Sequence, residues 1–378
     1  MTRFDGQHSP LHGPSECRIL YLIGQLRPGG SERQLCYLLR HMDRSKNRPA
    51  VAVWNRSEGE LHFREIRRLD VPIYSLSHLS SSAAKLLRLR RLVQALRPEI
   101  VHSFSFYLNY PAYCSVKGTA AIALGSMRSA LDTDKRISGW LLGRLSARWP
   151  RFQIYNSDVA ARYARNSKGP FLPARVVVVH NGVDLERFHA TPVSTRNGAH
   201  VVGVGSLFPV KRWDRLLSAA LALKRRNLRF SVEIVGDGPL RAALQKAARD
   251  LGICDCVTFN GHSDQVAERL AHSSFAVHPS EVEGCPNAVM EAMACGRAVV
   301  ATDVGDIPLL IEDGRTGFIV SSGDDALLIE RIMTLVTNRE LCQQMGAAAR
   351  AKMEREFGLT RMVAETLAAY GAAMSPAG

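Results

Sequence analysis

Short, wholly apolar runs alternate along this chain with longer stretches in which apolar positions recur every three or four residues. The first run, "RILYLIGQL" (18–26), is followed by "RPGG" and then "SERQLCYLLRHM" (31–42), which predicts strand, glycine turn and helix. Ser31 and Gln34 stand at capping-box spacing, so Ser31 is the expected N-cap. Further strands are predicted at 49–54, 71–76, 99–106, 120–126 and 152–157, with helical patterns between them. That order is the grammar of βαβ units.

A second series starts at "HVVGVGSL" (200–207). It predicts helices at 212–226, 239–251, 264–272, 287–295 and beyond 324, and strands at 230–236, 256–261, 274–280, 298–303 and 316–320. The join falls near "VVVVHNGVDLERF" (176–188), where an Asn181-Gly182 turn closes a strand and a polar, non-periodic segment follows. The expected fold class is therefore α/β, with two Rossmann-like, doubly wound parallel-sheet domains facing a cleft. Residues 1–190 form the first and 191–378 the second, the last helices being free to pack back on the first. Open parallel sheets bind ligands beyond the carboxyl ends of their strands, so chemistry is expected where the two sets of loops meet.

Composition narrows this picture. A length of 378 residues suits two domains with cores of their own and excludes a small stapled scaffold. The eight cysteines are scattered without a zinc-ribbon or disulfide spacing, which predicts reduced thiols and a cytoplasmic protein, and the Cys254-x-Cys256 pair reads as incidental. The first fifteen residues are polar, and no run of about 18 apolar residues occurs anywhere, so neither secretion nor membrane spanning is expected. The net charge of +14 is lopsided: residues 1–190 hold 29 Lys and Arg against 14 Asp and Glu, the remainder 20 against 21.

Candidate chemistry centres on "EGCPNAVMEAMACG" (283–296). Asn287 after Pro286 marks a helix start, with Asn287 as the expected N-cap, and Gly296 marks the end. Free amides at Ala288, Val289 and Met290 would then point into the cleft, where a helix start binds phosphate without any cationic side chain. Glu291, one turn further in, is placed to accept ribose hydroxyls, and Glu283, before the helix, to reach the group beyond the phosphates. Taken from spacing alone, both glutamates read more readily as solvated charges.

The wider context decides between these readings. "SEVEGCPNAVMEAMACGRAVVATDVGDIPLLI" (280–311) resembles the E-x7-E signature of the retaining GT-B glycosyltransferases of family 4; "VVVVHNGVDLERF" resembles their interdomain segment and "GGSERQL" (29–35) their first glycine loop. The resemblance implies a GT-B fold, a nucleoside diphosphate sugar donor on the second domain, an acceptor on the first, and no cofactor or metal. It implies Glu291 on the ribose and Glu283 on the donor sugar.

In "GSLFPVKRWDRLL" (205–217) the family pattern has Arg where this chain has Ser206, while Lys211 keeps its place. Lys211 is thus expected to neutralise the departing diphosphate, with Arg212 as a substitute. Gly29 and Gly30 let a backbone approach the donor or form a plain tight turn. His102, at a strand end, is expected in the cleft as a hydrogen-bonding or proton-accepting group, or else as a structural histidine; the family's second histidine is replaced by Phe104. The Asp132-Thr-Asp134 triplet reads as chance rather than as a metal motif.

The helix over 83–97 carries five cations and no acid, and Trp140 and Trp149 are interleaved with Arg144, Arg148 and Arg151. These faces suit either an anionic membrane surface, placing the protein on the inner face of the membrane, or a merely basic solvated surface. No nucleic-acid module is present, so nucleic acid is not an expected partner. The expected function is sugar transfer to an acceptor hydroxyl in glycan, lipopolysaccharide or exopolysaccharide synthesis, the acceptor being acidic or lipid-linked. The alternatives are a nucleotide-sugar epimerase and a non-catalytic nucleotide-sugar-binding protein.

Overall fold

The structure is a computed structural model that describes residues 17–55, 61–128, 138–193 and 198–375; the Asp132-Thr-Asp134 triplet lies outside them. Two wholly parallel sheets are present. The first runs β3-β2-β1-β4-β5-β6-β7, from β1 (Ile19–Ile23), β2 (Pro49–Val53), β3 (Ile73–Ser75), β4 (Ile100–Ser103), β5 (Ile122–Met127), β6 (Phe152–Tyr155) and β7 (Arg175–Val178). The second runs β10-β9-β8-β11-β12-β13, from β8 (Ala199–Val204), β9 (Phe230–Val235), β10 (Val257–Phe259), β11 (Phe275–His278), β12 (Ala298–Thr302) and β13 (Gly317–Val320).

The apolar runs are strands because helices cover both faces of each sheet, and a strand buried on both sides has no polar face to show. Every residue of β1, β2, β4, β11 and β12 is buried. Strand order reverses between β1 and β4 in the first sheet and between β8 and β11 in the second. Loops leaving these pairs diverge to opposite faces and open a crevice.

The chain does not stay in its second half. After the long helix Arg339–Glu356, the helix Leu359–Met374 lies on the first sheet, where Leu359, Met362, Val363, Ala369 and Tyr370 join the core of β1 and β2. His102 shares that core. It is fully buried, its Nδ1 2.7 Å from the Tyr370 hydroxyl and its Nε2 2.9 Å from Ser126 Oγ. The expectation of a cleft histidine is corrected: both ring nitrogens are used inside the protein, and burial, aided by Arg128, holds the ring well below its ordinary titration range.

Asp306 ties the two sheets together. It follows β12, yet its carboxylate accepts from Ser157 Oγ (2.7 Å) and from the amides of Asp158 (3.0 Å) and Val159 (3.1 Å) at the start of the helix Asp158–Asn166. A carboxylate suits that position because a helix start carries partial positive charge and unpaired donors. Among the described residues no helix is long and apolar enough to cross a membrane.

Candidate functional site

At the carboxyl end of β11 the chain turns through Pro279–Pro286 into the helix Asn287–Ala294. Pro286, not Asn287, is the N-cap, and it has no side-chain cap bond. Its carbonyl accepts from Val289 N (3.2 Å) and Met290 N (3.3 Å), so of the three predicted free amides only that of Ala288 remains, beside that of Asn287 at the open tip. Val289 is thereby corrected as a ligand-binding position; its side chain is also buried in the core. The physical reason is where the helix starts: with Pro286 rather than Asn287 as N-cap, the first intrahelical bonds form one residue earlier and reach Val289 and Met290.

Asn287 uses its side chain elsewhere. Its Oδ1 accepts from Asn181 Nδ2 (2.9 Å) and Gln34 Nε2 (3.1 Å), joining the helix tip to the interdomain segment and to the first domain. Gln34 also donates to Gly182 O (2.8 Å) and accepts from Gly182 N (3.0 Å). The expected Ser31–Gln34 capping box is therefore not formed. The helix Gly30–His41 starts two residues before the expected cap predicts, with Gly29 as a bare N-cap, and Gln34 points into the domain junction. Gly30 touches the same hub, since a Cβ there would lie 2.7 Å from Asn287 Nδ2. Gly29 faces Glu32, whose Oε2 would lie 2.2 Å from an added Cβ.

Glu283 and Lys211 come together from the two sides of the β8/β11 crevice. Lys211, in the turn Pro209–Lys211, forms an ion pair with Glu283 Oε1. His278, the last residue of β11, places Nε2 2.7 Å from the same oxygen, with Ser280 Oγ 3.1 Å from that nitrogen. Burial pushes the Glu283 carboxyl up, but His278 and Lys211 outweigh it and hold it at about 2. The loop is braced by its neighbours: Glu281 N donates to Val210 O (2.8 Å) and Asp306 N to Gly284 O (2.9 Å). Gly305, at φ 54, passes so close that a Cβ would lie 2.5 Å from Glu283 O.

Glu291 is buried at 4 % exposure and pairs with Arg33 Nη2 at 2.6 Å across the domain boundary. Burial pushes its carboxyl up, with Arg33 pulling the other way. The two glutamates of the E-x7-E segment thus titrate in opposite directions. Arg212 is drawn outward by Asp214, with three contacts of 3.0 to 3.3 Å, and lies 3.9 Å from Glu281, so of these two neighbours it is Lys211 that enters the crevice.

Sequence reasoning missed His278 and Arg33. His278 had a readable signal, a lone polar ring ending a buried strand at a switch point; Arg33 had none, since nothing local distinguishes it from Arg40, the other arginine of its helix. The described residues include one group at metal-ligating spacing, Cys36, His62 and Glu65. Its members already satisfy one another: Cys36 Sγ is 3.6 Å and Glu65 Oε2 3.1 Å from His62 Nδ1, Glu65 pairs with Arg40, and burial pushes the Cys36 thiol up, away from the thiolate a metal needs.

Residues 28–187 match the model of Glycosyltransferase Family 4, and residues 186–352 that of Glycosyl transferases group 1. A D-inositol 3-phosphate glycosyltransferase of Streptomyces scabiei is 36% identical over 225 residues, covering 53% of this chain and 50% of the relative. An N-acetyl-alpha-D-glucosaminyl L-malate synthase of Bacillus anthracis is 36% identical over 132 residues, 35% of each chain. The chain spans about half the length of the first of these relatives and less of the second. Among solved structures, Anabaena HepE in complex with UDP superposes with a TM-score of 0.79 at 18% identity, over 94% of this chain and 100% of that one. The lipopolysaccharide outer core galactosyltransferase WaaB gives 0.75 at 16%, over 94% and 99%.

Proposed function

We propose that this chain, a glycosyltransferase whose first half matches family 4 and whose second half matches group 1, moves a sugar from a nucleoside diphosphate donor to an acceptor hydroxyl. The observation that carries this reading is the convergence of Glu283, Lys211 and the tip of the Asn287 helix in one crevice between the sheets. A diphosphate on the Asn287 and Ala288 amides would have Lys211 beside it to meet the charge that builds as it leaves. Glu291 lies deeper in the same helix, at the ribose end, and Glu283 at the sugar end, where its retained negative charge orients hydroxyls. Transfer proceeds with retention and without a metal, the expectation that the E-x7-E resemblance supplies.

The excess positive charge of residues 1–190 supports an acidic or lipid-linked acceptor, and two relatives carry an acidic compound in their names, D-inositol 3-phosphate and L-malate. Trp140, 72 % exposed, and its exposed neighbour Leu141 stand on a helix with Arg144 and Arg148, which favours docking on an anionic membrane. Trp149 contributes less, because it is stacked on Tyr113. Flotation with phosphatidylglycerol vesicles is expected to carry the protein at low salt and release it at high salt; no flotation at low salt would remove the membrane from this reading.

The functional test is a thermal-shift screen with UDP, GDP and ADP sugars, followed by donor consumption with and without acceptor. A stabilising shift with one nucleotide class is expected. Absence of any shift sinks the reading, and conversion of donor without acceptor turns it into epimerisation. Ser206 and Phe104, at positions where the family pattern has Arg and His, favour the non-catalytic alternative, for which binding without turnover would decide.

A further inference from the structure

We propose that Arg128 receives a phosphate group carried by the acceptor, on the first domain's side of the cleft; this rests on the transferase reading above. Arg128 follows β5 directly, at the carboxyl end of the first sheet. Its guanidinium carbon lies 4.0 Å from the centre of the Phe104 ring. Phe104 is itself fixed between Tyr21, 5.6 Å away in an edge-on contact, and His102 at 4.8 Å. The aromatic ring at position 104 thus serves as a shelf for the cation.

Among the described residues the guanidinium has no anion of its own. Its Nε is closed off from solvent without a hydrogen-bond partner, and among the described residues no carboxylate pairs with it. Burial holds it down at about 10, with Tyr370, Glu32 and Cys285 near enough to act on it through their fields. The neighbouring cleft cations differ. Lys211 is paired with Glu283 and Arg33 with Glu291.

A half-buried guanidinium with an unpartnered Nε is costly to a fold unless something charged arrives to meet it. Its planar fork fits two oxygens of a phosphate, where an ammonium offers only a point charge. Placement says which phosphate. The donor's diphosphate is met by Lys211 and by the amides at the Asn287 tip, all on the second domain. Arg128 stands on the opposite wall, near Cys285, two residues from Glu283, so an anion held there lies next to the transferred sugar from the acceptor's side.

The test uses the full chain saturated with whichever nucleoside diphosphate stabilises it, titrated with inorganic phosphate by calorimetry. Wild type is expected to bind phosphate with an affinity that falls as chloride is raised. R128M and R128Q are expected to lose on the order of ten-fold or more, and R128K to lose less, because it keeps the charge without the fork. The nucleotide's stabilising shift, unchanged in all three, shows that the variants are folded and the donor side is intact. Equal phosphate affinity in wild type and R128M would overturn the proposal. Phosphate binding that disappears once nucleotide is saturating would also overturn it, by placing the anion in the donor pocket. Failure of every nucleotide to bind wild type would instead defeat the transferase reading itself.

Discussion

Lys211→Ala is expected to lower turnover by about two to three orders of magnitude, the usual loss when a preorganised group that stabilises developing charge is removed. Lys211 is mostly buried, with 19% of its side chain exposed, and its ammonium is held by Glu283, so it waits in place rather than sampling solvent. Charge on a diphosphate grows as the glycosidic bond breaks, and a fixed ammonium there favours the transition state over bound donor. The loss should therefore appear in kcat, with nucleotide affinity changed by only a few fold. Glu283→Gln should lose turnover similarly, because an amide cannot supply the negative charge at the sugar that His278 and Lys211 keep on the carboxylate. Wild-type turnover in either variant removes that residue from the mechanism.

The same pair predicts acid behaviour. Glu283 has a depressed folded value of about 2, so its contribution to stability is complete above the ordinary carboxylate range near about 4.3 and fades as pH falls toward about 2. Melting temperature followed from neutral pH downward should show less of this loss in Glu283→Gln than in wild type.

Glu291→Gln is expected to raise KM for the donor by about 10- to 100-fold while kcat changes much less, since a charged acceptor to a ribose hydroxyl contributes about 1.5 to 3 kcal/mol to binding. Burial raises the Glu291 carboxyl, with Arg33 opposing, so it takes up its proton at higher pH in the folded chain than an ordinary carboxyl does. The sign follows: the stabilisation from that protonated form is present at low pH and is lost as pH rises through the raised folded value. Donor binding needs the ionised form, so KM should rise on acidification while Glu283 is still charged and kcat holds. Arg33→Met would leave Glu291 without its 2.6 Å partner and should move the inflection in KM to higher pH. A donor KM for Glu291→Gln within two-fold of wild type would detach Glu291 from the ribose.

The glycine at position 30 shows how far local reading reaches. A glycine between a strand and a helix can be read from the chain; that the space of its missing side chain is taken by Asn287 of the other domain cannot. Gln34 gives the same lesson more sharply. Its spacing from Ser31 is a real capping signal, but two hydrogen bonds to Gly182 and one to Asn287 outweigh a single cap bond, and the helix starts without one. His102 was misplaced because a polar residue at a strand end looks like a cleft residue until a helix from the far end of the chain, carrying Tyr370, covers it.

By itself the sequence determined the two parallel sheets, their helices and the helix start between Glu283 and Glu291. Burial on both faces writes apolar runs directly into neighbouring residues, and helix signals act over one or two turns. Only the tertiary structure decided which charges meet. Lys211 and Glu283 are 72 residues apart, Gln34 and Gly182 148, His102 and Tyr370 268, and no local pattern records a contact whose partner is chosen by how two sheets and a returning helix pack.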